Sequence, residues 1–201
     1  MKIKVKVLIA CLLTVTVVVC FSCKKAIKNR QQLIAFLNDP DNGLQKSEQV
    51  GDMKIMLTYK PWQLMEANPH GITQGKDGTN MFEFKDKMFF VLSLSVKNKE
   101  VLKQLPFSQY SEMIQVLSFR MNEFIDMVPG DKKPVEPLEC IFQQTYGMGM
   151  ANNILIVFGK TNLFAAENLK IRIKEFGLNT GNLNFEFQNN EIKKLQNITL
   201  N

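Results

Sequence analysis

The side chains best suited to covalent chemistry in this sequence are a histidine and a cysteine. His70, the only histidine, lies in the turn-like stretch NPHGI, and Cys140 lies in PLECIFQQ, which is typical of a strand. Acyl-transfer enzymes usually place a base such as histidine beside the nucleophile. Because these two residues lie in distant segments of different kinds, we expect no such pair and interpret Cys140 as a small buried residue. The sequence therefore predicts no catalytic residue and no enzyme.

Two methionines form the most specific candidate for a binding site. Met148 and Met150 alternate with glycines in YGMGMANN, and two thioethers on one side of an extended segment would suit Cu(I). Against copper, the chain has 11 methionines, most of them at core-like positions. A zinc site would need more than one histidine and one cysteine. The sequence therefore predicts no metal and no cofactor, and Met148 and Met150 stay speculative binding residues.

Aromatic residues suggest a second speculative site. Trp62 and Tyr59 stand near the end of a predicted strand, where an exposed pair could stack on a sugar, although such a pair is more often part of a core. His70 begins a glycine-rich loop that could contribute to the same function. Binding of a glycan or a metal ion by the loops around residues 70–80 and 146–153 is thus an alternative hypothesis.

Two further function classes are disfavoured by pattern and charge. The stretch GITQGKDGT resembles a phosphate-binding loop but has three residues between its glycines where four are needed, and Asp77 replaces the magnesium-binding hydroxyl residue. The net charge of +6 includes three lysines near the N-terminus, and without them it would be +3. The remaining basic residues are scattered without an arginine cluster, so the sequence does not predict a nucleic-acid partner.

The first residues have the pattern of an export signal. Lys2, Lys4 and Lys6 precede an uncharged apolar run from Val7 to Val19, which has 13 residues. As a helix, this run would reach only about 20 Å, whereas a bilayer core is about 30 Å thick. A basic start, a short apolar stretch and a small residue at its end are typical of a cleaved secretory signal peptide.

The cysteine that follows this run indicates a lipid anchor. The sequence CFSC, which ends at Cys23 after the small Ser22, resembles the lipobox of bacterial lipoproteins, although Cys20 stands where that pattern prefers leucine. The resemblance implies cleavage between Ser22 and Cys23 and a diacylglyceryl group on the Cys23 thiol. The lysines that follow resemble lipoproteins of the Bacteroidota. An uncut signal anchor and a simple secreted protein are the alternatives.

The same resemblance implies a location and a division of the chain. Lys24 after the cysteine resembles an outer-membrane signal, and the absence of acidic residues next to it favours the periplasmic face over the cell surface. We therefore expect a signal peptide at 1–22, a lipid anchor and short helical tether at 23–43, and one β-sandwich domain at 44–201. Membrane lipid, through acylated Cys23, is the first expected partner.

The elements that would position these residues are mainly strands. A helix is predicted from Ala26 to Leu37, where NDPDNG ends it. The stretch 88–96 is apolar on both faces, which indicates a central strand. Further alternating patterns predict strands at 53–60, 117–121, 135–146, 153–159, 169–174 and 183–188. Seven to eight strands joined by short polar turns favour an all-β, mainly antiparallel sandwich.

Together these features predict a non-catalytic envelope lipoprotein. The stretches VGDMKIMLTYKPWQLM, PLECIFQQTYG, NILIVFG and FGLNTGNLNFEF resemble uncharacterised Bacteroidota lipoproteins, a resemblance that implies location and fold but no activity. With an anchor, a sandwich and no catalytic set, we expect an accessory or assembly factor that acts through contacts with an envelope protein.

Overall fold

The computed structural model describes residues 27–66, 82–160, 163 and 165–200. These residues form two antiparallel sheets with short helices, which confirms the predicted all-β, sandwich-like fold. Within this part of the chain, no helix combines the length and apolar character needed to cross a bilayer. Ser22, Cys23 and His70 lie outside the described residues, as does the whole 70–80 loop.

The larger sheet carries most of the chain. Its strands run in the order β1-β2-β3-β7-β6, and the short β4 pairs with the end of β3. All of these neighbours are antiparallel. With strands numbered along the chain, the bounds are β1 Gln45–Val50, β2 Met53–Lys60, β3 Lys87–Val96, β4 Lys99–Glu100, β6 Glu139–Gln143 and β7 Asn152–Gly159.

The smaller sheet has three strands in the order β5-β8-β9, namely Ile125–Pro129, Asn168–Ile173 and Leu183–Gln188. Alternation along β8 buries Leu169, Ile171 and Ile173 and leaves Lys170 exposed. This is the hairpin with one solvated face that the sequence predicts. The core therefore lies on one face of this sheet only.

Helices occupy the ends and crossings of the two sheets. The predicted N-terminal helix is α1, Arg30–Asn38, and the chain continues through a 3₁₀ turn at Pro40–Asn42. Leu33 and Leu37 of α1 are fully buried in the common core, so the packed domain extends upstream of residue 44. The other helices are α2 Trp62–Glu66, α3 Phe82–Lys85, α4 Phe107–Gln115, α5 Met121–Phe124 and α6 Asn189–Gln196.

One predicted strand is wrong. The alternation of Leu117, Phe119 and Met121 indicates a strand, but residues 116–120 form a π-helical turn between α4 and α5. Met113, Leu117 and Met121 are four residues apart and all three are buried. That spacing also places side chains on one face of a helix, so the longer apolar period decides the structure. The β5 strand begins only after this helical segment, at Ile125.

Strand β3 has apolar residues on both faces, and each face packs into a different cluster. On the core face, the Phe90 ring lies 5.5 Å from that of Tyr59, 6.2 Å from that of Phe158 and 5.2 Å from that of Phe187 on the smaller sheet. On the opposite face, here called the outer face, Phe89 packs with Leu155 and with other apolar residues of the large sheet and of α2 and α3. The core face therefore joins the two sheets, and the described residues cover the outer face only in part.

We expect Phe90→Ala to lower the free energy of unfolding by about 3–5 kcal/mol, because it opens a cavity among packed rings. Phe119→Ala is the matched control, since the Phe119 side chain is exposed, and it should change the value by less than about 0.5 kcal/mol. Urea unfolding followed by circular dichroism measures both. Equal effects of the two substitutions would contradict the packing described.

Candidate functional site

A buried carboxylate organises the loop between β6 and β7. A tight turn with positive φ at Lys97 and Asn98 brings β4 back along β3 and points Glu100 under the loop. The Glu100 carboxylate accepts hydrogen bonds from the backbone N–H of Gly147 at 2.9 Å and of Gly149 at 2.7 Å. It also accepts one from the Thr145 hydroxyl. One side chain thus forms hydrogen bonds with three residues of this glycine-rich loop.

The Asn152 side chain connects this carboxylate to the large sheet through hydrogen bonds. This side chain is fully buried, donates to Glu100 Oε2 at 3.3 Å and accepts from the backbone N–H of Leu102 at 2.9 Å. Burial by itself raises the pKa of Glu100, but the hydrogen bonds from Thr145, Gly149, Gly147 and Asn152 outweigh it and hold the pKa below its usual value. The ionised carboxylate is thus the form that the loop requires.

The loop presents apolar side chains to solvent. The exposed fractions are 78% for Tyr146, 87% for Met148 and 76% for Met150. Nearby on α4, Phe107 is 86% exposed, and Tyr110 lines the same cavity of about 170 Å³ as Tyr146. We call these five residues the loop patch. Exposed aromatic and methionine side chains are enriched at protein interfaces.

Tyr146 adopts an unusual backbone conformation. Its φ is +51°, in the left-handed region that bulky residues rarely occupy. Glycine, asparagine or aspartate would be less strained there. Since the tyrosine ring is mostly exposed, core packing does not account for its presence. The strained backbone at Tyr146 therefore carries an exposed aromatic side chain rather than a packed one.

The structure places the predicted methionine pair on this loop but not in a cavity. Met148 and Met150 do not line any of the three described cavities. Among the described residues, no three histidine, cysteine or acidic side chains gather as a metal site would require. The two thioethers are exposed and contribute apolar surface to the loop.

Trp62 and Tyr59 do not form a stacking platform. Tyr59 is 1% exposed and lies in the core, where its hydroxyl accepts a hydrogen bond from Gln196 and burial raises its pKa. The Trp62 ring is covered by Lys85, whose Nζ lies 4.8 Å from the ring centroid, and its N–H donates to the Gln196 carbonyl. The two aromatic residues therefore have structural roles on different sides of the sheet.

Cys140 lies in a strand, as its sequence context predicts, but it is half-buried rather than buried. It lies on β6 opposite Ile156 and packs against the core. Burial, with a smaller contribution from the neighbouring Glu139, raises the pKa of the thiol to about 12. A thiol with so high a pKa is almost entirely protonated at neutral pH and is a poor nucleophile.

The sequence suggested this loop as a candidate binding segment, but it did not suggest the residue that organises the loop. Glu100 lies in VKNKEVLK, which reads as a polar turn, and its partners are at least 45 positions further along the chain. The glycines of YGMGM were the one feature of the sequence that could have indicated such a residue. Closely spaced backbone N–H groups need hydrogen-bond acceptors once the loop is packed. Only the pairing of β4 with β3 shows which carboxylate supplies them.

Comparisons with known proteins add little to this geometry. No protein-family model matches the chain, and no curated protein matches it. Among solved structures, the chain is similar to a crystal structure of a novel protein of unknown function from Burkholderia pseudomallei. The identity is 10% and the TM-score 0.41, over 83% of this chain and 86% of that chain. A likeness of this size carries no conclusion about function.

We expect Glu100→Gln to loosen the loop and to lower the free energy of unfolding by about 1–3 kcal/mol, because buried donors lose a charged acceptor. Amide hydrogen exchange at Gly147 and Gly149 should become faster. Glu175→Gln is the matched control: Glu175 accepts from the N–H groups of Gly177 and Gly181 in another turn. That control should affect its own turn only.

The stability difference between the wild type and Glu100→Gln should depend on pH. Because the pKa of Glu100 is lower in the folded protein, its contribution is complete above the unfolded value of about 4.3 and is lost as the pH falls through the folded value. The stability difference between the wild type and Glu100→Gln should therefore shrink as the pH is lowered from 6 to 3. A difference that stays constant over this range would contradict the role of the ionised carboxylate.

Proposed function

We propose that this protein is a non-catalytic, lipid-anchored lipoprotein of the cell envelope that binds a partner protein through the loop patch. In this proposal, Cys23 is acylated and the domain faces the periplasm at the outer membrane. The domain acts as an accessory or assembly factor, which forms a complex with its partner and catalyses no reaction.

The observation that carries the proposal is the combination of exposure and rigidity in the 145–152 loop. The exposed Tyr146, Met148 and Met150 stand on a backbone that one carboxylate holds at three points. A preorganised loop loses little conformational entropy when it binds, so more of the contact free energy appears as affinity. Tyrosine is also among the residues that most often dominate interface energies.

The N-terminal packing would keep such a domain close to a membrane. Ile27 is partly buried against the core, only four residues after Cys23. Four residues span at most about 14 Å when fully extended. If Cys23 carries lipid, the domain lies almost directly on the membrane surface, and its partner must be reachable from there.

We expect the wild-type protein to fractionate with membranes and to show cleavage before Cys23 with added acyl mass. Two or more acyl chains hold a protein firmly at a bilayer, whereas one chain does not. Cys23→Ser should move the protein to the soluble fraction, and Cys20→Ser is the matched control that should not. Intact-mass spectrometry and membrane fractionation measure this. A soluble wild type with an unmodified Cys23 would disprove the anchor.

We expect a photo-crosslinking residue at Met148 to capture a discrete partner protein in the producing cells, and Tyr146→Asn to lower the yield at least threefold. Asparagine tolerates positive φ, so this substitution should leave the free energy of unfolding unchanged or raise it by about 0.5 kcal/mol. Loss of crosslinking without loss of stability would assign Tyr146 to binding rather than to folding.

The crosslinking experiment has a positional control. Lys132 is exposed in the turn after β5, and a crosslinker there should capture no discrete species. The same bands from both positions, or an undiminished yield from Tyr146→Asn, would disprove a role for the loop patch. The result does not depend on the anchor, because membrane fractionation reports on that separately.

A further inference from the structure

A second surface, whose described lining shares no residue with the loop patch, lies on the outer face of the large sheet. A cavity of about 340 Å³ opens there over β2, β3 and β7. Its lining mixes apolar side chains, including Val91 and Leu155, with polar ones, including Ser93 and Asn153. A volume above about 300 Å³ with this kind of lining is typical of small-molecule sites.

Lys60 is the one charged residue among the described residues that line this cavity. It stands at the end of β2 and is half-buried. No hydrogen bond or ion pair to its Nζ is present in the described part of the chain. Burial lowers the pKa of Lys60, and no carboxylate among the described residues counteracts this. A half-buried ammonium without a counter-charge is costly, and an anion in the cavity would offset that cost.

Hydrogen-bonding groups are available around this charge. Ser93 donates to Asn153 Oδ1 at 2.6 Å, which leaves the Asn153 amide nitrogen free to donate elsewhere. Thr58, which is 6% exposed, and the amide of Gln143 also line the cavity. These groups suit a carboxylate, which accepts several hydrogen bonds at once.

We propose that this cavity binds a small monocarboxylate with a short apolar body, whose carboxylate pairs with Lys60. One lysine supplies one positive charge, so a monoanion is matched better than a phosphate dianion. Met56 and Met65, together with Val91 and Leu155, provide adaptable apolar surface for the body of the ligand. Sugars are disfavoured because no aromatic ring is among the described lining residues. Cations are disfavoured because no carboxylate is among them.

This inference is independent of the partner-binding function proposed above. The cavity lies on the outer face of the large sheet, and its described lining shares no residue with the loop patch. Removing the Lys60 charge should therefore leave the Met148 crosslink unchanged, and Tyr146→Asn should leave ligand binding unchanged. Failure of one function can thus be separated from failure of the other.

The test uses three six-carbon probes of matched size, namely hexanoate, hexanol and hexylamine, with the purified full-length protein. Binding is measured by isothermal calorimetry and by NMR shifts of Ser93 and Asn153. We expect hexanoate to bind at least tenfold more tightly than hexanol, because a charge-assisted hydrogen bond contributes this much or more. Hexylamine should not bind measurably.

Two lysine substitutions complete the design. Lys60→Met keeps the apolar stem and should weaken hexanoate binding at least tenfold, while hexanol binding changes less than twofold. Lys54→Met is the matched control, because Lys54 is on the same strand and the same face but is exposed and does not line the cavity. It should leave both affinities unchanged.

Each alternative outcome would overturn the proposal. Absence of hexanoate binding, equal binding of hexanoate and hexanol, or equal effects of the two lysine substitutions would each exclude a specific carboxylate site at Lys60. Tighter binding of hexylamine would show that the cavity selects the opposite charge. Circular dichroism of Lys60→Met tests whether the variant is folded. An unchanged hexanol affinity would also exclude misfolding.

Discussion

The fold depends on one strand that must be buried on both faces. On β3, the even positions from Met88 to Leu94 are completely inaccessible and form the core with the smaller sheet, while Phe89 and its neighbours need separate cover on the outer face. This requirement places β3 between β2 and β7 rather than at an edge. It also explains why α2 and α3 pack against the outer face. Among the described residues, the cavity over Lys60 lies where that cover is incomplete.

Carboxylate side chains accept hydrogen bonds from backbone N–H groups in two of the connections between these strands. Glycine-rich turns leave backbone N–H groups without partners, and such groups must be satisfied when they are packed against a sheet. Glu100 does this for the loop before β7, and Glu175 does it for the turn between β8 and β9, where it accepts from four consecutive or nearly consecutive backbone N–H groups. In both cases, hydrogen bonds outweigh burial and lower the pKa.

The two turns differ in what they present, and this difference supports a specific role for the first. In the Glu175 turn, Leu178 is directed inward and the non-glycine residue with positive φ is Asn179. In the Glu100 loop, the non-glycine residue with positive φ is the exposed Tyr146, with two exposed methionines after it. A carboxylate that accepts backbone hydrogen bonds thus stabilises a turn with an inward-facing leucine in one place and a loop with exposed apolar side chains in the other. The proposed carboxylate cavity would give the domain a second, chemically distinct contact.

The sequence by itself determined the fold class, the alternating burial along β8 and β9, the two apolar faces of β3 and the position of Cys140 in a strand, because these follow from local patterns of apolar residues. It also indicated the 146–153 loop through its glycines and methionines. It predicted a strand at 117–121, where the four-residue spacing of buried side chains shows a helix. Only the tertiary structure decided that Glu100 holds this loop, that Tyr59 is buried in the core, and that Lys60 is half-buried with no counter-charge among the described residues. These facts depend on which distant segments meet across the sheet, and strand pairing between distant segments is not encoded in any short stretch of sequence.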